Sequence, residues 1–304
     1  MTEKQQENKL VDKLGSPLTV AAHTERSAER NQENNDFISV IIKRNDEGAR
    51  HPDDILEKAI TEGLEQIQRP FLSLALSSVA AALILSFSVM AVAVMSTLMI
   101  DLQQPLLLRV AMALVYPLGF IICIMSGTEL FTEHTATAVY PVLEGKADRL
   151  QLFRLWAIVF FGNMLGAIVG ALLLTATDQV IQAERGYIHI AHHLVEYGNL
   201  SLLFSAVLAG WLMALGGWLV LATTPALSQI ICIYIVTFLI GLGGLHHSIA
   251  GSVEMFTALL ISDHFSLLQG MRFIALAMLG NLIGGSFFVA TLNYGHIRKT
   301  QEIS

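Results

Sequence analysis

The chain divides into a polar stretch and a long apolar one. Positions 1–50 are rich in Asn, Glu, Gln, Lys and Arg and poor in large apolar side chains. Such a composition cannot bury enough surface to offset its ordering entropy, so a disordered cytoplasmic tail is expected there. From His51-Pro52-Asp53-Asp54 the pattern changes: Ile55, Ala59, Ile60, Leu64 and Ile67 recur at helical spacing, with Glu57, Lys58, Glu62 and Gln66 on the opposite side. This predicts an amphipathic helix within 51–69, lying at the membrane surface or against a neighbouring subunit. Six apolar runs follow, near 71–99, 108–128, 151–176, 200–222, 228–246 and 269–292, each long enough to cross a bilayer. Two shorter runs, 134–144 and 250–262, trail the second and fifth and predict half-helices that continue broken spans. The expected organisation is a transmembrane domain over 70–295 and a cytoplasmic C-terminal tail over 296–304. No cleaved leader is expected, and the first span is expected to act as an uncleaved targeting signal.

Composition sharpens this picture. With 54% hydrophobic and 14% charged residues the chain is a polytopic α-helical membrane protein, not a soluble domain. The net charge of −7 gives no reason to expect a nucleic-acid partner. Cys123 and Cys232 sit singly in apolar runs and form neither a disulfide framework nor a cysteine-rich metal site. Neither a metal nor a cofactor is expected. If the N-terminus lies inside, only Arg109, Arg185 and Arg272 of the 18 Lys and Arg lie outside. The excess of basic residues therefore places both termini in the cytoplasm.

The chain also repeats itself. Phe161-Gly162-Asn163-Met164-Leu165-Gly166-Ala167 in the third run matches Leu279-Gly280-Asn281-Leu282-Ile283-Gly284-Gly285 in the sixth, and each follows a broken span at a similar interval. Three spans per half make an inverted repeat, with a transport path expected where the two halves meet. Asn163 and Asn281 are then candidates for the pore region or for bonds between helices. At the second break, Gly241-Leu242-Gly243-Gly244-Leu245-His246-His247-Ser248 places two histidines at membrane depth, where an ionisable group marks function.

The first break reads Ser126-Gly127-Thr128-Glu129-Leu130-Phe131-Thr132-Glu133-His134. With His247-Ser248-Ile249-Ala250 and the stretch Phe161–Ala167, it resembles the formate/nitrite transporter family over about 55–295. The long polar N-terminus and the His-His pair point to its YfdC-like inner-membrane branch. The resemblance implies an aquaporin-like protomer in a homopentamer, embedded in the lipid of a bacterial inner membrane. It implies that His247 is the central pore histidine and Thr132 its partner. Leu130, Phe131 and Phe120 would form a cytoplasmic-side constriction, and Tyr116, Ile240 and Met213 a periplasmic one. Ser248 would adjoin the path, while His246 and Glu129 would belong to the pore region or to helix packing. Three departures stand out: His246 replaces the family's Glu, Gly251 its Asn, and the fourth span carries Gly210 mid-helix and no lysine at its outer start. His189, His192 and His193 near that start read as a solvated loop.

The chemistry of these residues fits a path for small monovalent anions of the formate, nitrite, acetate and hydrosulfide class, together with protons. An anion crosses an apolar constriction only at a large desolvation cost, whereas its neutral acid does not bear that cost. A histidine titrating near neutrality is suited to relay the proton. Two other readings remain: a pore for small neutral solutes and a non-conducting scaffold. An enzyme is not expected, since adjacent His247 and Ser248 do not provide a nucleophile with an oriented base.

Overall fold

The computed structural model describes residues 50–301, so the expected tail falls, Arg50 aside, outside the described residues. Among the described residues every regular element is helical, and six helices are long and apolar enough to cross a membrane. Span 1 is Phe71–Met99, and span 2 runs through Pro105–Val115 and Pro117–Met125. The half-helix Phe131–Thr137 and a single turn, Tyr140–Leu143, lead to span 3, Arg149–Ala176. A connecting helix, Glu184–Val195, leads to span 4, Asn199–Ala222, and span 5, Ala226–Gly243. The second half-helix, Ser248–Ile261, precedes span 6, Leu267–Ile283, which widens into π-turns over Gly284–Thr291 and continues as Leu292–Gln301.

The spans therefore lie close to where the apolar runs predict them, with two differences. The first short run is not one half-helix. It bends at Ala138–Val139, ahead of Pro141, whose missing N–H cannot continue a helix. The sixth span runs past 295: Ile297 is buried and Arg298 Nη2 donates to Glu144 Oε1 at 2.7 Å, so the expected tail begins as helix.

The helix Pro52–Gln68 turns Ile55, Leu56, Ala59, Ile60 and Ile67 inward. Its apolar face is covered by the chain's own Tyr140–Leu143 turn, span 4 and the C-terminal helix. Gly63 allows this approach, because a Cβ there would meet the Thr137 carbonyl.

In span 2 the ring of Pro117 removes a backbone donor. Ser88 of span 1 repairs the ladder: its hydroxyl donates to the Tyr116 carbonyl at 2.7 Å and accepts from Gly119 N–H at 2.8 Å. Spans 3 and 6 both begin with a reciprocal cap, Asp148 with Gln151 and Ser266 with Gln269.

Without a hydrophobic driving force between helices in lipid, close backbone approach does the packing. Gly162, Gly166 and Gly170 of span 3 lie against Ser78, Val79, Ala82 and Ser86 of span 1. Large side chains such as Leu165 and Leu172 face outward. Replacing Gly166 by Leu forces a side chain into the Val79 carbonyl. It should lower stability by about 1–3 kcal/mol. Thermal unfolding in detergent should show a lower midpoint for Gly166→Leu and almost none of that shift for the outward Leu165→Ala.

Candidate functional site

A helix that stops at membrane depth exposes backbone groups that water cannot reach. Each break answers this in the same way. At the first, Gly127 turns the chain with a φ of 65°. Asn163 of span 3 then accepts from Phe131 N–H at 2.9 Å and donates to the Glu129 carbonyl at 3.0 Å and the Ser78 carbonyl at 2.7 Å. At the second break, Gly244 turns with a φ of 59°. Asn281 of span 6 accepts from Ser248 N–H at 2.8 Å and donates to the His246 carbonyl at 3.1 Å and the Ala206 carbonyl at 2.8 Å. The two halves correspond bond for bond. Both asparagines pin helix breaks, so the G-N-x-x-G repeat marks a backbone clamp.

The two half-helices meet at one bond, Thr132 Oγ1 to His247 Nε2 at 2.8 Å, and both residues are buried. His247 also caps its own helix: Nδ1 accepts from Ala250 N–H at 3.2 Å. A backbone N–H can only donate, so Nδ1 is unprotonated, the ring proton is on Nε2, and Nε2–H donates to Thr132. Phe120 presents its ring edge-to-face to the imidazole at 5.0 Å, and Tyr116 lies 5.0 Å beyond Phe120.

His247 lines a chamber of about 490 Å³. The second half-helix contributes His247, Gly251 and Glu254, an i, i+4, i+7 face. Span 2 contributes Arg109 and Tyr116, and span 5 contributes Ile240. The connecting helix and the turn after it add His189, His192, His193, Glu196 and Tyr197. Of the pore residues that the resemblance implied, Tyr116, Ile240 and His247 line this chamber. Thr132, Phe120, Leu130, Phe131, Met213 and Ser248 are buried outside its lining. Phe131 packs edge-on against Phe160 at 5.3 Å. Ser248 Oγ has no hydrogen-bond partner among the described residues, so no base activates it.

The histidines near residue 190 do not lie on a solvated loop. They ride the connecting helix, whose Tyr187, Ile190, Ala191 and Leu194 are buried. Its Gly186 N–H bonds Thr97 of span 1 at 3.0 Å. Burial, then His193 and His192 nearby, holds the His189 imidazole below its ordinary value and so neutral at neutral pH. His193 Nε2 lies 2.9 Å from the Gly244 carbonyl, and its ring stacks on His246 at 5.3 Å. His246 is fixed by Ser205 Oγ at 2.7 Å, which makes it an anchor of the break.

Glu129 is held within its own chain: it pairs with Arg69 and His134, while His134 Nδ1 lies 2.8 Å from Gln66 Oε1. Arg109 is a further residue that the sequence reading assigned only to topology. Its Nε donates to the Leu242 carbonyl at 2.6 Å, which holds the guanidinium at the chamber wall. Glu254 is the other, and its helical register with His247 is the signal that was available. Among the described residues no group of three or more His, Cys, Asp or Glu is arranged to hold a metal ion.

Comparison with known proteins agrees with this architecture. A family model described as "Formate/nitrite transporter" matches residues 53–295. The chain is 30% identical over 245 residues to "Inner membrane protein YfdC" of Escherichia coli K12, covering 78% of this chain and 76% of that protein. It is 26% identical over 197 residues to "Formate channel FocA" of the same strain, covering 57% of this chain and 69% of that one. Among solved structures, an "FNT family ion channel" superposes with a TM-score of 0.73 at 20% identity, covering 81% of this chain and 99% of that one. A "Pentameric formate channel with formate bound" superposes with a TM-score of 0.63 at 20% identity, covering 74% and 96%.

Asn281→Ala should orphan Ser248 N–H and the His246 carbonyl inside the bundle. Each orphaned group costs about 1–3 kcal/mol. Asn163→Ala should weaken the protein comparably, because its bonds correspond. Equal drops in the detergent unfolding midpoint are expected; stability unchanged in either variant would contradict the clamp.

Proposed function

This chain belongs to the formate/nitrite transporter family, and from that premise we propose that it is a membrane channel or carrier for small monovalent anions and their conjugate acids. The observation that carries this reading is the buried Thr132–His247 bond, which joins the two half-helices beside the chamber that His247 lines. The helix Ser248–Ile261 starts there, and a helix N-terminus favours negative charge. The names of the relatives, formate channels among them, support the same substrate class.

In this reading an anion enters the chamber and loses water between Tyr116, Ile240 and the His247 ring. Phe120, Leu130 and Phe131 form the apolar constriction beyond the histidine, and Met213 backs the chamber side. Thr132 and His247 supply the hydrogen bonds that replace water. Relay of a proton by His247 asks more, because its Nδ1 lone pair is already taken by the Ala250 N–H. The imidazole gains a second proton only if it gives up the cap. Each protomer would carry its own path in a pentamer, as the name of one structural neighbour suggests. The two halves are inverted repeats, both termini are cytoplasmic, and the membrane is the bacterial inner membrane. The connecting helix and chamber mouth then face the periplasm.

The test is flux into proteoliposomes, comparing formate, nitrite, acetate and hydrosulfide with glycerol across roughly pH 5 to 8. Wild-type protein should move the weak acids and exclude glycerol. His247→Ala should change weak-acid flux by on the order of tenfold, about the effect of one lost buried hydrogen bond. Thr132→Val should reproduce much of that change. Glycerol flux alone would favour a pore for neutral solutes. Silence across the panel from a folded oligomer would favour the scaffold.

A further inference from the structure

Glu254 is the chemical oddity of the chamber. It sits on the second half-helix, two turns from His247 on the same face, and only 8% of it is exposed. Its carboxyl borders the chamber, and among the described residues no hydrogen-bond or ion-pair partner reaches it. A buried carboxyl without a partner has no structural use for its charge. A negative charge is also the wrong fixed charge for a path that admits free anions.

The groups around it are few. Span 2 presents Tyr116 and, nearer the mouth, Arg109, which is bound to the Leu242 carbonyl. The connecting helix and its turn present His189, His192, His193, Glu196 and Tyr197. Spans 1 and 5 present apolar Val92 and Ile240. His247 has its Nδ1 lone pair committed to the Ala250 N–H. Glu254 is therefore a chamber group, on the same helix face as His247, that can take up and release a proton without breaking a bond that holds the fold.

We propose that Glu254 is a specificity residue that admits an anion only together with a proton. The inference rests on the transport reading above and deepens it. In the acid form, Glu254 offers its O–H to an arriving carboxylate or nitrite oxygen. The O–H bond of Glu254 breaks, one forms on the substrate, and the neutral acid passes His247 and Thr132. The carboxylate left behind repels any further anion until a hydronium ion from the solution on the side of entry reprotonates it. One proton and one anion move per cycle, and no net charge crosses. Anions that remain ionised throughout the working pH range are rejected, because they cannot accept the proton.

The full chain in proteoliposomes tests this, with a trapped pH indicator and a potassium–valinomycin potential. The probes are formate, and thiocyanate as an anion of a strong acid. Wild-type protein should acidify the interior as formate enters, at a rate insensitive to the imposed potential, and should exclude thiocyanate. Glu254→Gln keeps the shape and loses the exchangeable proton. Its formate entry and the accompanying acidification should fall together, on the order of tenfold or more, as expected from loss of a positioned proton donor. Glu254→Asp should restore the wild-type pattern. Electroneutral formate entry at the wild-type rate in Glu254→Gln would overturn the proposal while leaving the transport reading intact. Absence of formate flux through folded wild-type oligomer would overturn both.

Discussion

The structure depends on a debt of hydrogen bonds incurred wherever a helix stops inside a bilayer. Two asparagines settle it. Each takes the first N–H of a half-helix and gives its two amide hydrogens to carbonyls on the break and on a neighbouring span. A side-chain amide suits this task because it donates and accepts at one site without bringing a charge. With the breaks held, Thr132 and His247 meet at hydrogen-bonding distance. His247 also lines the chamber. The location of the proposed centre thus follows from how broken backbone is satisfied, and polar residues deep in the apolar runs are what satisfy it.

The departures from the family pattern make sense in the same terms. His246 occupies the position of a family glutamate and is bound by Ser205 while stacking on His193. Gly251 occupies the position of a family asparagine, and the Phe273 ring fills the space that a side chain there would need. Gly210 replaces a mid-helix asparagine, and the backbone of Asn281 presses where its Cβ would be. Each change has a local partner. The missing lysine of the fourth span has a different kind of answer. Arg109 reaches the chamber from span 2, and Glu254 adds an acid to the same space.

The spans, both breaks and the paired asparagines were legible in the sequence because each rests on a long or repeated signal. Apolar runs of spanning length survive any detail of packing, and G-N-x-x-G recurs at matching places. What the asparagines do was not legible, since a bond to a backbone carbonyl leaves no mark in side-chain spacing. The connecting helix escaped because three histidines and Glu196 at the end of Glu184–Val195 read as solvent-facing, although Tyr187, Ile190 and Leu194 carry a helical period. Glu254 was hidden by its surroundings: Met255 to Ile261 reads as plain membrane segment, and one acid within it invites no separate notice. Counting 247, 251 and 254 as one face would have exposed it. The constriction residues came from resemblance, and only Tyr116 and Ile240 among them reach the chamber.

The helix before the first span is joined to this centre by a short run of polar contacts. Gln66 bonds His134, and Arg69 pairs with Glu129, so Pro52–Gln68 holds the first break from outside as Asn163 holds it from within. Trp156 of span 3 adds a bond to the His134 carbonyl at 3.1 Å. Because Thr132 lies on the same half-helix as His134, a shift of the outer helix has two outcomes. Either the Gln66 and Arg69 contacts break, leaving Glu129 and His134 buried without their partners, or the half-helix moves with them. Loss of one partner from a buried charge pair costs several kcal/mol, more than the bond of about 1 kcal/mol between Thr132 and His247. The weaker link is therefore at the centre. A displacement transmitted along this route would part the Thr132–His247 bond before it unseated the outer helix.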